Sequence, residues 1–434
     1  MERKYTASYI LSKNKGYKFI PRVKYRRRFL LLRIMKLTHR TRKASKSAPQ
    51  DFISSMPDNV VTNILDRLPV RHAVRTSILS RSWRFKWTML SQLEFDRVFF
   101  GCLMQHKGEN DCGGVISRLL LHIEGVIEKF VLSMFDVKHI NYRVENINHW
   151  ILFLSTKRIK DLTLDIGNWR PVKMPTHLFS CVELKHLKLR NCSFNPPPTF
   201  HGFPNLLSLE LYMVRFESGK LGEILTRCPL LETLDLGYLY STRSVKLVEI
   251  VKSENLKKLS LRLCDLDTET IISSSTIFEL VGFLPKLEEL SLDFAKCQLT
   301  EAGAKKKFPT ASLKTLTLSR IDLSNVHMRS CVFEVIRNFP NLQTLIISSI
   351  HRKTDSVPIP EEYNTTGLRR VVFECLEGSE NEVYLIKYLL VCSPFLEKVV
   401  IRGGEWFMSR KRLKFARKVL KLHRASTVAE IDFK

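Results

Sequence analysis

Four residues in the first half of the chain, His177, Cys181, His186 and Cys192, carry the imidazoles and thiols that bind zinc, and they come nearest to a chemical centre. A zinc site needs such groups converging on one point, with ligands in closely spaced pairs. The spacing here fits no such pattern, and none of the ten cysteines forms a C-x-x-C pair. Leu187 and Leu189 alternate with His186 and Lys188, so His186 is expected on the face of a strand opposite the leucines, with Cys192 past the strand end. No metal is expected. The chain also lacks G-x-G-x-x-G, G-x-x-x-x-G-K-[ST], H-E-x-x-H and G-x-S-x-G, and 17 glycines are few for a phosphate-cradling enzyme of 434 residues. No catalytic constellation and no cofactor are therefore expected.

What does recur at regular spacing is leucine. The template L-x-x-L-x-L starts at Ile159, Leu184, Leu206, Leu231, Leu256, Leu287, Leu313, Leu342, Leu368 and Leu396, at intervals of 22 to 31 residues. A more degenerate copy, Ile127/Phe130/Leu132, precedes them. Within each copy the last two apolar residues alternate with other residues, as in Leu187-Lys188-Leu189-Arg190, the pattern of a strand with one buried face. Burying three aliphatic side chains contributes roughly 6 kcal/mol, less than ordering one such unit costs. The units must therefore stack, which predicts a leucine-rich-repeat solenoid with a parallel strand ladder along its concave side.

Alternate template positions should line that concave surface. His186, Lys188 and Arg190 form one basic rung, Lys258 and Arg262 another, and Glu210 and Asp235 lie between them. These seven residues are candidates for selecting a protein partner by complementary charge. Counted over all rungs, seven acids face seven bases, whereas a phosphate-binding groove is one-signed, so the ladder is not expected to bind nucleic acid.

The formal charge of +27 does not contradict this, because residues 1–50 hold 16 Lys/Arg against the single acid Glu2. That leader lacks sustained periodicity and should be largely disordered, as a solvated arm, a nuclear-import patch or a transit peptide. Met35 is a second candidate for the start of translation. No window approaches the roughly 18 to 20 apolar residues of a membrane span, and no membrane partner is expected. Without a cleavable signal pattern the cysteines read as reduced thiols.

From Asp51 the composition changes. Val60, Val61, Ile64, Leu65 and Leu68 share a helical face, with Asp58 in the first turn and Pro69 as the stop. Val70, Ala73, Val74, Ile78 and Leu79 form a second segment, and Ser80 offers an N-cap for a third helix carrying Trp83 and Trp87. So small a unit has more apolar surface than it can bury, and it should dock onto something.

Ile53-Ser54-Ser55-Met56-Pro57-Asp58, Ile64-Leu65-Asp66-Arg67-Leu68-Pro69, Arg75-Thr76-Ser77-Ile78-Leu79-Ser80 and Trp83 resemble a plant F-box. The ladder resembles the leucine-rich repeats of plant F-box proteins, including the rung Cys228–Leu236, and the end of the chain, with Gly367–Phe373, Tyr388-Leu389-Leu390 and His423-Arg424-Ala425-Ser426, resembles an FBD domain. Ser82 stands where the family usually has a basic residue. The resemblance implies an α/β protein: a short three-helix F-box over 51–95, repeats over 120–357 and an FBD-type α/β cap over 358–434. It implies a non-catalytic substrate receptor of a Skp–cullin–F-box ubiquitin ligase, acting in the nucleus and/or cytoplasm on an unidentified protein. Pro57, Ile64, Leu65, Leu68, Pro69, Val74, Leu79 and Trp83 carry over as contacts to the Skp-type adaptor or supports of that surface. The alternatives are a leucine-rich scaffold with a degenerate F-box, or weak nucleic-acid binding through the leader.

Overall fold

The computed structural model describes residues 55–107, 112–134, 144–167, 171–216, 220–239, 247–263, 274–295, 297, 312–350, 366–403 and 409–434, and the basic leader lies outside them. Helix α1 (Asp58–Leu65) starts where the Pro57 carbonyl accepts from the Val60 and Val61 amides, and it buries Val61 and Leu65. Pro69 ends that segment and opens α2 (Val70–Arg75), which buries Val70 and Ala73 and tightens into a 3₁₀ turn at Thr76–Ile78.

The expected third helix is different. Ser80 does cap the turn, its hydroxyl accepting from the Trp83 amide at 3.3 Å, but the chain then runs through turns into a 3₁₀ segment at Lys86–Met89. Its hydrogen bonds are of the i to i+3 type, from Trp83 to Ser80, Lys86 to Trp83, Thr88 to Phe85 and Leu90 to Trp87. The tighter winding rises about 2.0 Å per residue against 1.5 Å in an α-helix. That extra reach lets ten residues bury Trp83 and still deliver Leu90 to the first strand. Asp66 fixes the arrival point, its carboxylate accepting from the Ser91 amide (2.9 Å), the Ser91 hydroxyl (2.6 Å) and the Gln92 amide (3.2 Å).

The strands, in chain order, are β1 (Gln92–Phe95), β2 (Lys129–Ser133), β3 (Asp161–Asp165), β4 (Val172–Lys173), β5 (His186–Arg190), β6 (Cys192–Ser193), β7 (Ser208–Tyr212) and β8 (Thr233–Gly237). They continue as β9 (Lys258–Arg262), β10 (Glu289–Asp293), β11 (Thr315–Ile321), β12 (Thr344–Ser349), β13 (Arg370–Leu376), β14 (Lys398–Gly403) and β15 (Glu430–Phe433). The helices after α2 are α3 (Arg97–Lys107), α4 (Cys112–His122), α5 (Val144–Ser155), α6 (Lys220–Thr226), α7 (Leu247–Ile250) and α8 (Ser274–Gly282). They end with α9 (Val326–Asn338), α10 (Glu380–Cys392) and α11 (Ser409–Leu420).

Apart from β4 and β6, which pair with each other, the strands form one 13-stranded parallel sheet in chain order. The register follows the leucine template rung by rung: Leu162, Leu187, Leu209, Leu234, Leu259, Leu290, Leu316, Leu345, Val371 and Val399 are successive partners. All are buried, beneath return segments that bury Trp150, Ile224, Leu280, Val332 and Ile386. The degenerate copy is a full rung, with Phe130 opposite Leu162. Two strands go beyond the template copies. β1 pairs with β2 at Leu93 and Phe130, and β15 pairs with β14 at Ile431 and Val399.

Five residues near the ends of strands, Asn191, Met213, Tyr238, Arg320 and Cys375, are left-handed, with φ between 53° and 57°. In β11 and β13 they coincide with shifts of register, between Leu318 and Ile321 and between Phe373 and Leu376. Each breaks the pleat where the chain must leave the sheet, at a cost of about 1 kcal/mol for a residue with a Cβ. Asn191 recovers part of that cost by donating its side-chain amide to the Ile166 carbonyl at 2.9 Å.

Candidate functional site

Apolar side chains left in water by the first helices make one candidate surface. Ile78 is 83% exposed, Phe85 66% and Leu79 62%, and Val60 and Met89 are also exposed. The 3₁₀ turn of Ile78 packs against that of Met89, and an ion pair from Lys86 to Asp58 ties the latter to α1. These residues therefore sit on adjoining turns rather than scattered. Burying a large aliphatic or aromatic side chain contributes about 2 kcal/mol, so leaving several in water is a cost that a partner can remove.

The open face of the ladder is the second surface. Its charges pair across neighbouring rungs: Lys188 lies 2.5 Å from Glu210, Arg190 3.8 Å from Asp165 and Lys258 2.8 Å from Glu289, and the His186 ring lies 3.9 Å from Asp161. The alternation of basic and acidic rungs read from the sequence is thus largely self-neutralised. Arg262 is not a surface residue at all. It is buried, with its guanidinium 3.7 Å from the centre of the Tyr238 ring. The left-handed turn at Tyr238 brings that ring toward the next strand, and Arg320 reaches the Tyr238 hydroxyl at 2.9 Å while pairing with Asp293.

A shallow groove of about 250 Å³ runs across β7 to β11 on this face. Ser260, Ser291 and Thr317 floor it, the Lys258–Glu289 pair forms one rim, and Glu210 and Asp235 close one end. Gly237 is required here, because a Cβ would come within 2.7 Å of the Tyr212 ring. Tyr212 lies over that gap and donates its hydroxyl to Asp235 at 2.7 Å. Burial pushes the Asp235 carboxyl above its ordinary value, only partly opposed by hydrogen bonds from Tyr212 and Ser260. Burial and then the Asp235 hydrogen bond push the Tyr212 phenol up as well.

The sign of the linkage follows. With a raised folded value, the ionised form of Asp235 disfavours folding at neutral pH, and that penalty disappears once the pH falls below the ordinary value of 3.8. Asp235→Asn, which can still accept from Tyr212, is expected to raise stability at pH 7. Urea melts over a pH series should show its advantage over wild type shrinking as the solution is acidified.

The four residues with zinc-binding side chains do not converge. His177 and His186 are exposed, His186 on the open face, while Cys181 and Cys192 are buried. Burial pushes the Cys181 thiol up to about 12 and raises that of Cys192, so both are neutral core thiols.

Sequence profiles match two stretches of the chain, one described as the F-box domain over residues 53–94 and one as the LRR repeats of FBD-associated F-box protein At5g56370 over residues 147–283. F-box/FBD/LRR-repeat protein At1g13570 of Arabidopsis thaliana is 30% identical over 391 residues, covering 82% of this chain and 91% of the relative. The chain belongs to the F-box/FBD/LRR-repeat family. Two further Arabidopsis thaliana relatives are FBD-associated F-box proteins At4g10400, 28% identical over 375 residues (78% of this chain, 86% of the relative), and At5g38590, 29% over 345 residues (71% and 80%).

The F-box match takes in α1, α2, both 3₁₀ turns and nearly all of β1, so the F-box ends inside the first strand of the ladder. Of its eight residues named from the sequence, Leu65 and Trp83 are buried in its own core, and Ile64, Leu68 and Val74 are half-buried. Pro57, Pro69 and Leu79 are exposed. Ile78, Phe85, Met89 and Val60 were not among the eight.

Proposed function

We propose that this F-box/FBD/LRR-repeat protein is a substrate receptor of a Skp–cullin–F-box ubiquitin ligase, working in the nucleus, the cytoplasm or both. The F-box holds the Skp-type adaptor, and the open face of the ladder holds a protein whose lysines are thereby kept at high local concentration beside the ubiquitin-loaded partner. The receptor supplies placement and does no bond chemistry of its own. The observation that carries this reading is the set of exposed apolar residues on adjoining F-box turns, Ile78, Leu79, Phe85 and Met89. Affinity purification of the tagged chain, with and without proteasome inhibition, should recover adaptor and cullin peptides, and their absence from both samples would sink the reading.

Recognition on the open face is tested separately. Lys188→Glu, Arg190→Glu and Lys258→Glu together should lower substrate ubiquitination several-fold while adaptor association stays at the wild-type level, because they invert the charge pattern offered to a partner; since each also turns a cross-rung attraction into repulsion, a thermal melt beside the assay separates lost recognition from lost folding. An unchanged ubiquitination rate moves the recognition surface off these rungs.

A further inference from the structure

Helix α11 carries a surface that neither the F-box nor the groove uses. Residues 410–421 hold seven Lys/Arg and no acid. Phe415 and Val419 are buried and fix one side of the helix, which packs against α10. On the outward side Leu413 is 61% exposed and Leu420 50% exposed. At 3.6 residues per turn, Leu413, Arg417 and Leu420 fall within an arc of roughly 60°, the spacing of a heptad seam. Lys414 and Lys421 each follow one of the leucines and flank that seam on one side.

The charges here differ from those on the ladder. There, Lys188, Lys258, Arg369 and Arg402 all meet a carboxylate of a neighbouring rung. On α11 only Lys418 does, with Glu380 of α10; Lys411, Lys414, Arg417 and Lys421 are exposed, with no carboxylate in ion-pair range among the described residues. Like charges three and four positions apart oppose the helix that carries them, and an acidic partner relieves this.

We propose that the outward face of α11 docks an acidic amphipathic helix, whose apolar stripe packs on Leu413 and Leu420 and whose carboxylates pair with Lys414, Arg417 and Lys421. Chemistry selects this occupant over other polyanions. A phosphate backbone has no use for a pair of exposed leucines in the centre of the basic face. A bilayer calls for a wide apolar face, and the aromatic and β-branched residues of this helix, Phe415 and Val419, are turned inward. Two leucines one heptad apart, each followed by a lysine, match a helix with Leu at its core positions and Glu beside them.

The probe is a synthetic 21-residue peptide with Leu at a and d, Glu at e and g and Ala elsewhere, fluorescein-labelled and titrated with the full chain by anisotropy. A scrambled peptide of equal composition, a 20-nucleotide single-stranded DNA and phosphatidylserine vesicles are the comparison ligands. The patterned peptide should bind at least about tenfold more tightly than the scrambled one and outcompete both other anions. Leu413→Ser with Leu420→Ser, and separately Lys414→Glu with Lys421→Glu, should each weaken it about tenfold with unchanged thermal melting. The charge-reversed variant should gain affinity for the same peptide with Lys replacing Glu. Equal binding of patterned and scrambled peptides, preference for DNA or vesicles, or no binding overturns the proposal.

Discussion

Leu79→Asp combined with Phe85→Asp is expected to abolish adaptor binding while the protein keeps its fold and its melting temperature. Both side chains are exposed, so the carboxylates stay in water in the free chain and cost it little. In a complex the same carboxylates would be buried against an apolar partner, losing about 2 kcal/mol of burial per site and adding desolvation. A loss of more than about a hundredfold in affinity follows. Pull-down of the Skp-type adaptor beside a thermal melt distinguishes this from unfolding. Trp83→Ala and Leu65→Ala are the contrasting pair: both side chains are buried, and each truncation should cost about 3 to 4 kcal/mol of stability, with adaptor binding falling only as folded protein is lost. Retained binding in the double aspartate variant would assign the adaptor to another surface.

The largest stability effect outside the F-box is expected at Glu382. This buried side chain lies at the start of α10 and forms a reciprocal cap with Ser379. Its carboxylate accepts from the amides of Glu377 (3.3 Å), Gly378 (2.7 Å) and Ser379 (2.8 Å) and from the Ser349 hydroxyl at 2.5 Å. Gly378, left-handed at φ 84°, lets consecutive amides turn toward one oxygen pair. Glu382→Ala would leave three half-buried backbone donors and the buried Ser349 hydroxyl without their acceptor, a loss of about 3 kcal/mol. Ser349→Ala removes only one donor and should cost about 1 kcal/mol. Urea melts rank the two; equal small effects would show that water replaces the carboxylate. In a repeat array each rung leans on its neighbours, so the Glu382 variant should also raise amide exchange in β12 to β14 ahead of β3 to β8.

The ladder was readable because a buried strand face writes itself as alternating leucines, and because the return segments vary in length without disturbing that local pattern. β15 is hard to read because Val428, Ile431 and Phe433 fill the template positions without a single leucine; in the structure Val428 is exposed, and Ile431 and Phe433 are only half-buried at the sheet edge. β1 was hidden by position, since Leu90, Leu93 and Phe95 fit the template but follow directly on the F-box helices. The site was harder. Arg262 alternates correctly for the open face, and its burial depends on a left-handed Tyr238 that no periodicity announces. Leu65 and Leu79 are the same residue type on neighbouring short helices. Which of them supports the fold and which meets a partner is decided by how α1, α2 and the 3₁₀ turns pack.

The direct pairing of β1 with β2 sets a measure of length. The F-box match reaches into a strand of the sheet, so no free linker separates it from the groove, and each further strand adds about 4.8 Å along the hydrogen-bonding direction. The groove strands β7 to β11 therefore begin roughly 20 Å and end roughly 40 Å from β1 along that direction. On the receptor reading, a bound protein is carried at a set stand-off from the adaptor, and it is chosen twice: once by what fits the groove, and once by whether one of its lysines lies at the reach this stack of strands allows. Adding or deleting a single rung would leave every contact chemistry in place and still change which lysine is served.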